Sequence, residues 1–176
     1  STFIGSGLPY AEMERGALAE RLPALAEAAR TVGSPQIRAA GTLGGNLGTA
    51  SPAGDGLPVL RALDAVVHLR STAGSRDVPI SDFLVGVKRT DRRPGELILG
   101  VTVPPARGWQ GYAKVGVRNA MVIAIASACL SRDGSAVRLA LGAVAPTVVR
   151  CPSAERFASV VLGSTAIYVF SGHFLT

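Results

Sequence analysis

The segment Gly41–Asp55, GTLGGNLGTASPAGD, holds five glycines, several small polar residues and one closing acid. Backbone without side chains admits close approach by a large polar ligand. Successive amides in such a stretch form a nest for an anion. Thr42, Thr49 and Ser51 add hydroxyls, and Asn46 adds both a donor and an acceptor. Asp55 is a poor neighbour for phosphate but a good acceptor for ribose hydroxyls, as acids are in other dinucleotide sites. The combination points to a nucleotide. The segment lacks the Gly-Lys-Ser/Thr ending of a P-loop, and no G-x-G-x-x-G joins a strand to a helix. From the residue types alone, a flexible structural loop therefore stays open beside the nucleotide reading.

Other chemistry is sparse. His68 and His173 are far apart, with no cysteine or histidine at ligand spacing, so no metal site is expected. Cys129 lies in an apolar run and reads as a small core residue; with Cys151 it makes no disulfide framework, which suits a reducing cytoplasm. No side chain stands out as a catalytic acid or base. The net charge of +6 suits nucleic acid, an anionic cofactor or an acidic partner. The basic residues are scattered apart from KRTDRR, Lys88–Arg93, which carries an acid and no interleaved aromatics. That run reads as a solvated loop, and nucleic acid is not an expected partner. The longest apolar run, Ala120–Leu130, is too short to span a bilayer, and no signal peptide is visible.

The elements that must position Gly41–Asp55 read as mixed helix and strand. STFIGSG opens like a strand, and a short helix follows Pro9 and stops at Gly16. Leu18, Leu22, Leu25, Ala29 and Val32 fall on one helical face, with Pro23 starting the main helix and Gly33 and Pro35 ending it. From Ser34 to Gly56 the chain shows no helical period and reads as a long irregular, functional segment. A short helix is expected at Pro58–Leu63, then strands at Ala65–Arg70 and Leu97–Val103 around a turn, strand and short helix. Beyond a boundary near Pro105, GWQGYAKVGVR reads as a strand, AMVIAIASACLS as a buried strand or helix, and two strand-like stretches flank Gly142 and Pro146. SAERFASVV reads as a helix capped by Ser153.

IRAAGTLGGNLGTASPAGDGLPVLRALDA closely resembles the FAD-binding medium subunit of the molybdenum hydroxylases, the xanthine dehydrogenase and carbon monoxide dehydrogenase type. The family's IRN-x-GT-x-GGN…SP…D signature is matched from Ile37 to Asp55, except that Ala39 replaces its Asn. LAEAARTVGSPQIR, DVPISDFLVGVKRT…PGELILGVTVP, YAKVGVRNAMVIAIASACL and LALGAVAPTVVR look like the flanking family segments. The resemblance implies an α+β chain. Residues 1–105 would be the second subdomain of a PCMH-type FAD-binding fold. Residues 106–176 would be part of a carbon monoxide dehydrogenase flavoprotein C-terminal α/β domain with an atypical tail, LGSTAIYVFSGHFLT.

The resemblance implies FAD as cofactor. Thr42, Gly44, Gly45 and Asn46 would lie along its pyrophosphate and ribityl region, supported by Thr49 and Ser51. Asp55 would bind the adenosine ribose, Ile98 would pack near the isoalloxazine, and Lys114 would reach the flavin's polar edge. It further implies a molybdopterin-binding large subunit and a 2Fe-2S small subunit as partners, with NAD+ or another electron acceptor. The absence of an initiator Met, and of a glycine-rich phosphate loop before FIGSG, leads us to expect a fragment lacking the first FAD subdomain. The alternative expectation is a truncated chain that no longer binds flavin and retains only a subunit-docking role.

Overall fold

The computed structural model describes residues 1–163. The chain runs β1 (Thr2–Gly5), α1 (Tyr10–Met13), α2 (Gly16–Arg21), α3 (Pro23–Arg30), α4 (Pro35–Ala40), α5 (Leu43–Thr49) and α6 (Gly56–Ala62). There follow β2 (Val66–Ser71), β3 (Gly74–Pro79), α7 (Ile80–Phe83), β4 (Leu84–Gly86), β5 (Arg89–Thr90) and β6 (Leu97–Val103). The last elements are β7 (Trp109–Val115), β8 (Ala126–Asp133), β9 (Ala136–Gly142), β10 (Val149–Arg150) and α8 (Pro152–Gly163). The atypical tail expected at Leu162–Thr176 lies outside the described residues, apart from the backbone of its first two, which end α8.

The strands form two antiparallel four-stranded sheets, ordered β1-β6-β2-β3 and β10-β9-β8-β7. β2 shows why this sheet has one dry face: Val67 and Leu69 are buried and alternate with His68 and Arg70. α3 packs on β7 and α6 on β8, β9 and β10, while α5 packs on β6 and α7 on β2 and β3; Ala24, Leu25, Ala28, Leu57, Val59 and Leu60 are buried. One apolar cluster runs from Ile4 through these helices to Cys129, Ala140 and Val148, so the core is continuous across position 105.

Helical acids take up one backbone donor of edge strand β7 and one of β9 past its short pairing with β10. Glu27 of α3 accepts from Tyr112 N at 2.7 Å, and Glu155 of α8 accepts from Leu139 N at 2.8 Å. Ladder donors that would otherwise invite another strand are thereby closed off. Burial raises the Glu155 carboxyl, but hydrogen bonds from Arg150 and the Leu139 amide outweigh it and leave its pKa lowered.

Several expectations need correction. Ser34–Gly56 is not irregular: it contains α4 and α5. Ser34 Oγ accepts from Ile37 N at 3.3 Å, with Pro35 in the first turn of α4. Thr42 Oγ1 accepts from Gly45 N at 3.1 Å at the start of α5. α5 forms despite its three glycines because Leu43 and Leu47, one turn apart, are both fully buried and anchor it. Gly16 does not end a helix; at φ +70° it precedes the body of α2 and its left-handed backbone turns the chain. The apolar run at Ala120 is not buried throughout: Met121, Ile123 and Ile125 are exposed in a loop, and strand begins only at Ala126. Ser153 is not a cap; it lies inside α8, which starts at Pro152, and accepts from Arg156 at 3.2 Å.

Candidate functional site: a glycine-faced helix

α5 presents its glycines outward. Gly44 and Gly48, one turn apart, line a cleft of about 280 Å³ with Ser6, Gly7, Thr42, Arg92 and Ile98. Gly44 is required by close approach: an added Cβ would stand 2.6 Å from Ser6 Cβ and 2.8 Å from Ser6 O. At Gly48 the same atom would only meet Ile98 Cδ1, at 3.7 Å, on the floor of the cleft. The wall is therefore flat bare backbone, a cradle that any side chain on Gly48 would partly fill.

The amides around Gly44 are arranged differently from a ligand-ready nest. Leu43 N donates to Leu8 O at 3.2 Å and Gly44 N to Ser6 O at 2.8 Å. Gly45 N bonds Thr42 Oγ1, and Asn46 N bonds Thr42 O at 3.1 Å. These bonds fasten α5 to the turn after β1 and align the two sides of the cleft. What the helix offers a ligand is closeness and shape.

Asn46 faces inward. A Cβ on Gly54 would strike its Nδ2 at 2.6 Å, and one on Gly56 would lie 3.1 Å from its Oδ1. Among the described residues Asn46 Oδ1 and the Tyr10 hydroxyl, both buried, have no hydrogen-bond partner, and both border the backbone of Gly56. Thr49 is exposed in the last turn of α5, and Ser51 O accepts from Gly54 N at 2.9 Å; neither lines the cleft.

Asp55 and Lys114, assigned by resemblance to different parts of one cofactor, meet each other. Lys114 Nζ donates to Asp55 Oδ2 at 2.9 Å and to Thr31 O at 2.9 Å, and Tyr112 Oη donates to Asp55 Oδ1 at 2.7 Å. The two charged side chains are 9% and 6% exposed. Burial first, and the Asp55 charge second, push the phenols of Tyr112 and Tyr10 well above their ordinary range, so both stay protonated, and Tyr112 is the one that donates to the carboxylate. Tyr112 and Lys114 share a strand face at a spacing of two, the period that could have linked them in the sequence.

Lys114 also reaches a larger cleft of about 800 Å³, bordered by Arg30, Arg38, Arg118 and the loop through Met121. Sequence reasoning missed Ser6, Gly7 and Arg92 at the glycine cleft, and Tyr10 and Tyr112 beside Asp55. Arg92 belongs to the run expected to be solvated loop, and it is exposed, but the run is held. Lys88 N donates to Ala50 O at 3.1 Å at the end of α5. Arg76 bonds Asp91 Oδ2 at 2.6 Å and grips both Glu96 oxygens at 2.7 and 2.9 Å. His68 on β2 is partly buried, its ring nitrogens 2.6 Å from Asp77 Oδ1 and 2.7 Å from Thr102 Oγ1. Among the described residues no group of three or more His, Cys, Asp or Glu could hold a metal, and no helix is long and apolar enough to cross a membrane.

Residues 1–106 match the model of the FAD binding domain in molybdopterin dehydrogenase. The chain is 36% identical over 141 residues to the glyceraldehyde dehydrogenase medium chain of Sulfolobus acidocaldarius, covering 77% of this chain and 50% of that protein. It is 32% identical over 164 residues to a xanthine dehydrogenase FAD-binding subunit of Escherichia coli, covering 88% and 56%. Carbon monoxide dehydrogenase from Hydrogenophaga pseudoflava superposes with TM-score 0.81 at 30% identity, over 88% of this chain and 56% of that one. Quinoline 2-oxidoreductase from Pseudomonas putida shares the fold, with TM-score 0.83 at 23% identity, over 97% and 66%. The chain thus belongs to the family of FAD-binding subunits of the molybdenum hydroxylases, and its α+β fold is that of the family. It spans about half the length of the curated relatives it matches.

Proposed function

We propose that this chain carries FAD in the electron-transfer subunit of a molybdopterin-dependent dehydrogenase. The observation that carries the reading is the side-chain-free face of α5, Gly44 and Gly48, set against Ser6, Gly7 and Ile98. A flat, narrow slot of this kind suits an extended dinucleotide, and the family match supplies which one. Thr42, Gly44 and Gly45 would lie along the pyrophosphate and ribityl chain, and Ile98 would give an apolar floor near the ring system. Asn46, Thr49 and Ser51 act from behind, shaping the turn that leads to Asp55. Asp55 and Lys114 hold each other and bind α6 to β7; a sugar or flavin edge reaching either one has to share it with the other.

Bound FAD would take up electrons singly and deliver them as a pair, while the chain supplies binding, orientation and charge. In this reading a molybdopterin-binding large subunit oxidises the substrate and a 2Fe-2S small subunit relays the electrons. NAD+ or another acceptor receives them, and the site of action is the cytoplasm. The division of labour falls near Pro105: residues 1–105 hold the cofactor and the second sheet buttresses them. The test is to titrate the purified chain with FAD and follow flavin fluorescence and visible absorption. Saturable quenching at about one FAD per chain supports the reading, and a chain that stays colourless ends it. A docking role without flavin is favoured by one observation, the exposed apolar residues Trp109, Val117 and Ile123 on and beside β7. Capture of the cluster-bearing small subunit by a colourless chain would select it.

A further inference from the structure

The glycine cleft has one cationic lining residue, Arg92. Among the described residues its guanidinium has no acid within ion-pair reach, whereas Arg76, which holds the same loop, is paired with Asp91 and Glu96. Arg92 sits between two fixed points. Its own amide donates to Thr90 Oγ1 at 3.4 Å, and the residue before it, Asp91, is held by Arg76 through both side chain and main chain. On the far side, Glu96 accepts from Arg93 N at 2.7 Å and from Arg76 Nε at 2.7 Å. Upstream, the Lys88 amide is tied to the carboxyl end of α5 itself. The loop that carries Arg92 is thus strapped to the helix whose bare face forms the opposite wall.

A cation without a counter-charge, presented on a pinned loop across from backbone stripped of side chains, calls for an anionic ligand group. We infer that Arg92 is a binding residue for the diphosphate of the cofactor and that Arg76 is its positioning residue. This rests on the FAD reading above and adds a residue to it. With the Leu43–Asn46 amides engaged inside the fold, the positive charge that a diphosphate needs at this cleft comes from the side chain of Arg92.

The experiment measures FAD affinity of the full chain by fluorescence quenching at several salt concentrations, with thermal melts as a folding control. Arg92→Ala is expected to weaken FAD about tenfold, to flatten the salt dependence, and to leave the melt unchanged because the side chain is exposed. Arg92→Lys is expected to recover part of the loss, since the charge is kept and the fork lost. The neighbouring Arg93→Ala, outside the cleft lining, is expected to bind within twofold of the parent. Riboflavin, which has no phosphate, is expected to bind both parent and Arg92→Ala alike. Arg76→Gln is expected to weaken FAD about threefold on its own and to add nothing to Arg92→Ala, a non-additivity that a general loss of stability would not produce. An unchanged FAD affinity in Arg92→Ala, or an equal loss for Arg93→Ala or for riboflavin, overturns the inference while leaving the FAD reading intact. A parent chain that binds no FAD removes both.

Discussion

Replacing Lys114 by Met isolates the pair at the junction of α6 and β7. Met preserves most of the stem volume and removes the ammonium. Lys114 Nζ stands 2.9 Å from Asp55 Oδ2, and both side chains are nine-tenths buried. At an effective dielectric near 20 the attraction is about 6 kcal/mol, of which desolvation of the two ions cancels a large part. Removing one partner leaves the other's desolvation uncompensated, which typically costs about 3–5 kcal/mol. Here Asp55 keeps the Tyr112 hydroxyl at 2.7 Å, so the low end, about 3 kcal/mol, is expected. For a chain of this size each kcal/mol moves Tm by about 2–4 °C, giving a fall of about 9 °C. The assay is calorimetry at neutral pH on the parent, Lys114→Met, Asp55→Asn and the double variant. The double variant is expected to melt above the sum of the single losses, because no unpaired charge remains, with a coupling of about 2 kcal/mol. A drop under 2 °C in Lys114→Met, or additive losses, would refute the claim that the two charges support each other. Asp55 would then be free to serve a ligand directly.

Three more expectations concern separate parts of the molecule. Gly48→Ala is expected to keep or slightly raise Tm, since its Cβ meets only Ile98 at 3.7 Å, yet to weaken FAD at least tenfold by filling the cleft. Gly44→Ala places a Cβ 2.6 Å from Ser6 Cβ and is expected to lower stability itself by about 2 kcal/mol; equal melts for the two variants would contradict the assigned packing. The Arg76 hydrogen bonds, opposed by partial burial, hold the Glu96 carboxyl down at about 2. A depressed folded-state pKa gives stability that is present above the ordinary carboxylate value of 4.5 and is lost as pH falls from there toward 2. Acid unfolding curves of the parent are expected to steepen in that window and those of Glu96→Gln to flatten. Burial, with the Glu27 charge adding, raises the Cys129 thiol to about 12, so a disulfide reagent at pH 8 is expected to modify Cys151 in the native chain and Cys129 only after denaturation.

Much of this protein was legible in residue order. The buried alternation of β2, the run Leu97–Val103 and the start of α3 at Pro23 follow from period and from Pro chemistry, which are local properties. The candidate cleft was legible as bare backbone around Gly44. Its secondary structure was not: propensity counts each glycine against a helix, while the burial of Leu43 and Leu47 that overrides the count exists only once the sheets close over them. Ala120–Ile125 shows the converse, an apolar run that tertiary placement leaves outside the core.

Chain order alone determined the mixed fold, the family signature from Ile37 to Asp55 and the glycine wall, because each rests on residue types a few positions apart. Only the tertiary structure paired Asp55 with Lys114 and Tyr112, turned Asn46 inward, used up the amides of Leu43–Asn46 and brought Arg92 to the cleft. These depend on contacts between residues far apart in the chain, 59 positions for Asp55 and Lys114, which no local periodicity encodes.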